Sequence, residues 1–78
     1  YIMRGLANEG LGKYTEAIND FSKAIQMEPT DPNTYLNRGT VFEQTGNYQK
    51  AIDDYKKAAR LGHKGARTYL LSRNIDWQ

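Results

Sequence analysis

The chain has 78 residues, 38% hydrophobic and 26% charged, with a formal net charge of +2, no Cys and a single His, His63. That inventory excludes disulfides and thiolate metal sites, and a lone His cannot assemble the usual zinc site. No run of roughly 20 apolar residues is present to span a bilayer, and residues 1–6 hold no apolar stretch of signal-peptide length.

Taken in chain order, the elements read as five helices and no strand. Tyr1, Ile2 and Gly5 begin a first helix that ends near Gly12, where glycine takes the left-handed conformation without a Cβ clash. Ala17, Ile18, Phe21, Ala24 and Ile25 form an apolar stripe of helical period, the second helix. Lys13 is a poor cap for it, but Glu16 suits the positive helix end, and Pro29 closes it. Asp31 and Pro32 open a third helix as N-cap and first helical residue, and Tyr35, Leu36, Gly39 and Phe42 lie along it. After Gly46, Asn47 is placed to cap a fourth, with Ala51, Ile52, Tyr55, Ala58 and Ala59 as its stripe. Gly62 ends the fourth, and a fifth is expected from about Gly65 to Ile75.

Sliding the sequence over itself by 34 residues gives 11 identities in 31 ungapped pairs. They include Arg4 on Arg38, Gly5 on Gly39, Glu9 on Glu43, Ala17 on Ala51 and Asp20 on Asp54. Duplication of one structural unit follows. The expected division is a first unit at 1–31, whose opening helix is truncated, a second at 32–65, and a closing helix at 66–78. A core of this size is marginal, since chains below roughly 70–80 residues draw about 3–5 kcal/mol from it. Regular helix packing or a partner must supply the rest. A chain that starts at Tyr1 and lacks a first N-cap reads as an excerpt of a longer protein.

The period and its residues resemble the tetratricopeptide repeat (TPR) family. The first unit offers Tyr1-x2-Arg4-Gly5-x2-Asn8, Ala17-x3-Phe21 and Pro29; the second offers Tyr35-x2-Arg38-Gly39-x2-Phe42, Ala51-x3-Tyr55 and His63. The resemblance implies an all-α fold: antiparallel helix-turn-helix repeats stacked as a short right-handed superhelix, an α-solenoid. Gly5 and Gly39 would sit at close helix crossings. Arg4 and Arg38 depart from the pattern, and their stems are expected to pack while the guanidinium reaches water. Asn8 replaces a large aromatic and His63 replaces the closing Pro.

The resemblance also implies a concave groove that binds a peptide or a helix of a partner protein, as in a scaffold or assembly adaptor. Its expected lining is Ile2, Met3, Leu6 and Glu9 on the first helix and Asn33, Leu36, Asn37, Thr40 and Glu43 on the third, with Arg67, Leu70, Leu71 and Asn74 on the fifth. A clamp for the acidic tails of chaperones is not expected. Ile2 and Leu6 stand where such clamps carry Lys and Asn, Asn37 matches, Arg67 replaces Lys, and Leu71 stands in place of Arg.

Rival readings are weaker. No nucleophile with a base, glycine-rich phosphate loop or metal cluster is present, so neither catalysis nor a cofactor is expected. Residues 56–78 carry six basic side chains and one acidic, against five and eight in residues 1–55. Lys56, Lys57, Arg60, His63, Lys64, Arg67 and Arg73 could meet nucleic acid. However, cations near a helix C-terminus also complement its dipole, and an acidic protein partner fits them better. An architectural role, as the C-terminal cap of a longer solenoid or in self-association through the first helix, is the main alternative. Trp77, Tyr14 and Tyr48 are expected to pack. Compartment is left open.

Overall fold

The computed structural model describes residues 1–77. They form α1 (Ile2–Gly10), α2 (Tyr14–Met27), α3 (Pro32–Gln44), α4 (Tyr48–Arg60) and α5 (Lys64–Ser72), with no strand among the described residues. Each helix packs on the next in sequence, and α1 also touches α3. Contacts mainly between helices adjacent in sequence are those of an all-α helical repeat solenoid.

Local chemistry sets the boundaries. The Asp31 carboxylate accepts the Asn33 N–H at 3.0 Å, with Pro32 at the first helical position. The α1–α2 and α3–α4 turns are copies of one another: Gly12 has φ +76° and Gly46 φ +82°. In each, the next residue's N–H closes on the helix, Lys13 on the Asn8 carbonyl and Asn47 on the Phe42 carbonyl, both at 2.8 Å.

Three expectations need correcting. Asn47 occupies the cap position of α4, but its side chain donates to Thr45 Oγ1 instead of accepting from a helix amide. The fifth helix begins at Lys64, because the His63 imidazole caps it, its Nδ1 accepting the Ala66 N–H at 3.0 Å. It stops at Ser72 because Asn74 turns left-handed, φ +57°, and the Ile75 N–H returns to the Leu70 carbonyl.

Two clusters make the core. Ala17 and Phe21 of α2 meet Val41 of α3, flanked by Ile2, Tyr14 and Ile18. Tyr35, Ala51, Tyr55, Ala58, Ala59, Ala66 and Leu70 form the other, covered in part by Ile75 and Trp77. Trp77 therefore packs as expected, whereas Tyr48 is exposed. Helices this close need small residues at the crossings. A Cβ on Gly5 would stand 2.7 Å from the Phe21 ring, and one on Gly39 would stand 2.8 Å from the Tyr55 ring.

Candidate peptide-binding face

Each helical hairpin is pinned by one ion pair. Arg38 grips Asp54 with two nitrogens, Nε to Oδ2 at 2.8 Å and Nη2 to Oδ1 at 2.7 Å, and a third donates to Ser22. Arg4 meets Asp20 Oδ1 with Nε and Nη2, while Asn8 serves Oδ2 at 2.9 Å. Both aspartates are buried and each takes its arginine's guanidinium; Arg38 is thereby largely enclosed, whereas Arg4 still reaches water as its sequence context suggested. The Arg4 hydrogen bonds hold the Asp20 carboxyl below the usual carboxylate range, against burial. The Asp54 hydrogen bonds raise Arg38 further. These carboxylates are structural anchors with both oxygens engaged.

The glutamates at matching positions differ more. Glu43 accepts the Tyr55 hydroxyl at 3.2 Å on one oxygen and the Tyr69 hydroxyl on the other, tying α3 to α4 and α5. The Tyr55 and Tyr69 rings lie 4.6 Å apart, and the Arg73 guanidinium sits 3.7 Å from the Tyr69 ring centre. Burial, then the bond to Glu43, pushes the Tyr69 phenol up to about 12. Glu9, half-buried at the equivalent place in α1, makes no hydrogen bond or ion pair with the described residues. Burial raises its carboxyl above the ordinary value. The residue opposite is Phe21, which has no hydroxyl to give.

The other expected lining residues fall into four groups. Met3 and Leu6 are exposed, Ile2 and Leu36 half-buried against the two clusters. Asn33 is exposed and Asn37 half-exposed, one turn apart on α3, and neither side-chain amide has a partner among the described residues. Thr40 turns its hydroxyl onto the Leu36 carbonyl. The α5 residues are placed differently from expectation. Leu70 is fully buried in the core and Leu71 is exposed. Arg67 donates to the Ala59 carbonyl and lies 4.5 Å over the Trp77 ring, while Asn74 lies beyond the helix.

This geometry, two equivalent helical hairpins closed by a fifth helix, agrees with comparison to known families. A model described as TPR repeat matches residues 10–46, and one described as tetratricopeptide repeat matches residues 32–64. The chain belongs to the tetratricopeptide repeat family. A search of curated proteins finds no match to it. TPR repeats are in general protein–protein interaction modules, which places this chain in that class. Among the described residues, no helix is long and apolar enough to cross a membrane.

In this TPR chain the three arginines of the basic C-terminal segment are engaged within the chain. Arg60 donates to the Trp77 carbonyl, Arg67 covers the Trp77 ring and Arg73 covers Tyr69. Arg73 also stands 34 residues after Gly39, where each earlier unit has glycine at its close crossing.

Proposed function

We propose that the chain holds an extended peptide or a helix of a partner protein across the face shared by α1, α3 and α5, without catalysing a reaction on it. The observation that carries this reading is the pair Asn33 and Asn37. Their amides are one turn apart and unused within the described residues, and Met3 and Leu6 on α1 are exposed. A side-chain amide both donates and accepts, so it can pair with a peptide's backbone groups while apolar neighbours take its side chains. The lining carries no cluster of free cations, which argues against an acidic-tail ligand. The test is selection of binders from a random-peptide library, then measurement against Asn37→Ala. Loss of one good hydrogen-bonding group, about 1 kcal/mol, predicts roughly fivefold weaker binding. Unchanged affinity, or amide shifts confined to the outer side of α4, would refute the reading.

A second role is compatible with the first. The Arg73 position, together with Ile75 and Trp77 lying on the core, favours α5 and its tail as a cap that ends the stack. An arginine there leaves no room for a further helix at the crossing distance that Gly39 permits.

A further inference from the structure

The two turns that lead from one hairpin to the next element are closed by different chemistry. At the start of α3 the cap is a carboxylate, Asp31, which accepts the Asn33 N–H. At the start of α5 it is an imidazole, with His63 Nδ1 accepting the Ala66 N–H at 3.0 Å. His63 stands 34 residues after Pro29, whose side chain has no acceptor, so this cap belongs to the α4–α5 turn alone. The ring lies close over Gly65, where a Cβ would stand 3.0 Å from its Cε1. Ala66 is 0% exposed, so water is not at hand to replace the imidazole as partner of its N–H. Further along the same helix, the Tyr69 hydroxyl donates to Glu43 and Leu70 is buried in the C-terminal cluster. The seating of both follows from a first turn that one acceptor nitrogen closes.

We propose that His63 makes the seating of α5 pH-sensitive: as neutral imidazole it closes the helix's first turn, and as imidazolium it opens that turn. A protonated imidazole is a donor at both nitrogens. Its Nδ1–H would then face the Ala66 N–H, and no rotation of the ring supplies an acceptor. The proton also places a positive charge at the positive end of a helix. The charged groups on the segments that meet at this turn are Lys57 and Arg60 at the end of α4, Lys64 and Arg67 at the start of α5, and Asp76 on the returning tail. The added charge therefore meets four cations and one carboxylate. Imidazole changes its charge between about pH 5 and 8, so α5 is fully seated above that range and loosens as the pH falls through it. A carboxylate stays ionised over the same range, which makes the Asp31 cap of α3 an internal control. The inference goes beyond the peptide-binding reading and does not depend on it.

The experiment follows the nitrogen-labelled chain by NMR from about pH 8 down to about pH 5. The Ala66 amide proton should move towards the position of a free amide along the same curve as the His63 ring. Exchange protection of residues 66–70, corrected for the intrinsic rate, should fall about fivefold across that curve, the worth of one N-cap. The Asn33 amide, held by Asp31, should not follow it. His63→Asn keeps a side-chain acceptor at every pH and should hold the seating of α5 constant. His63→Ala should show the low-pH protection already at the upper end of the range. Asp76→Asn should leave the response in place. An Ala66 amide that stays still while the ring titrates would overturn the proposal. So would a ring spectrum with the proton on Nδ1 at the upper end, or the same fall in His63→Asn. A response lost in Asp76→Asn would also overturn it, by assigning the switch to that carboxylate.

Discussion

In the second hairpin Arg38 is enclosed, its side chain 22% exposed, Glu43 takes two tyrosine hydroxyls, and α5 covers α4. In the first, Arg4 stands 62% exposed, Glu9 has no donor, and the far side of α1 is open. The residues concerned are identical in the two units. What differs is the neighbour: Tyr55 against Phe21, Phe42 against Asn8, and a flanking hairpin on one side only. A repeat therefore specifies a frame, while the environment of each copy decides which groups are satisfied within the chain and which remain for a ligand.

The largest effect that can break this comparison comes from the ion pairs. Arg38→Met leaves Asp54 buried without a cation and should cost about 3–5 kcal/mol, enough to abolish a cooperative denaturation transition in a domain this small. Arg4→Met should cost clearly less, because water already reaches that pair. Equal losses would show that the two hairpins are equally closed. Next comes the crossing itself. Gly39→Leu drives a side chain into the Tyr55 ring and should cost about 1–3 kcal/mol. Gly10→Leu, with nothing within 4 Å of its Cβ, should leave the melting temperature nearly unchanged.

A single hydroxyl sharpens the comparison further. Phe21→Tyr gives Glu9 the donor that Tyr55 gives Glu43, and should add up to about 1 kcal/mol of stability. Tyr55→Phe should lose a similar amount, read in the same denaturation series. The smallest effect is in alkali. The Tyr69 phenol is raised in the folded chain to about 12, so the folded state holds its proton longer than the unfolded state. Stability is complete below about pH 10, the ordinary phenol value, and falls between there and about 12. Tyr69→Phe should flatten that fall. A slope that persists in the variant would assign it elsewhere.

Much of the frame was legible in the 34-residue offset: the glycine crossings, the turn glycines, the Asp31–Pro32 start and the alanine stripes. The ion pairs were not read from the sequence, although a signal for them is present in it. Arg4 with Asp20 and Arg38 with Asp54 recur at the same separation of 16, and each Asp sits directly before the stripe aromatic, on a helix face that must be buried. Tyr69 meets Glu43 across 26 residues, which no local rule predicts. Leu70 was assigned to the groove by repeat position, but it is fully buried in the cluster that α5 forms with Tyr55, Ala58 and Ala59. His63 left no signal as a cap, since imidazole is not among the usual capping groups.

Residue-resolved hydrogen exchange of the free chain tests most directly the claim that the second hairpin is closed and the first is open. The account predicts the slowest exchange in α3 and α4, which are packed on both sides, and markedly faster exchange in residues 2–10, held mainly by α2. Uniform protection across α1 and α3 in the free, monomeric chain would contradict the account, because α1 would then need no further covering to be as secure as its counterpart.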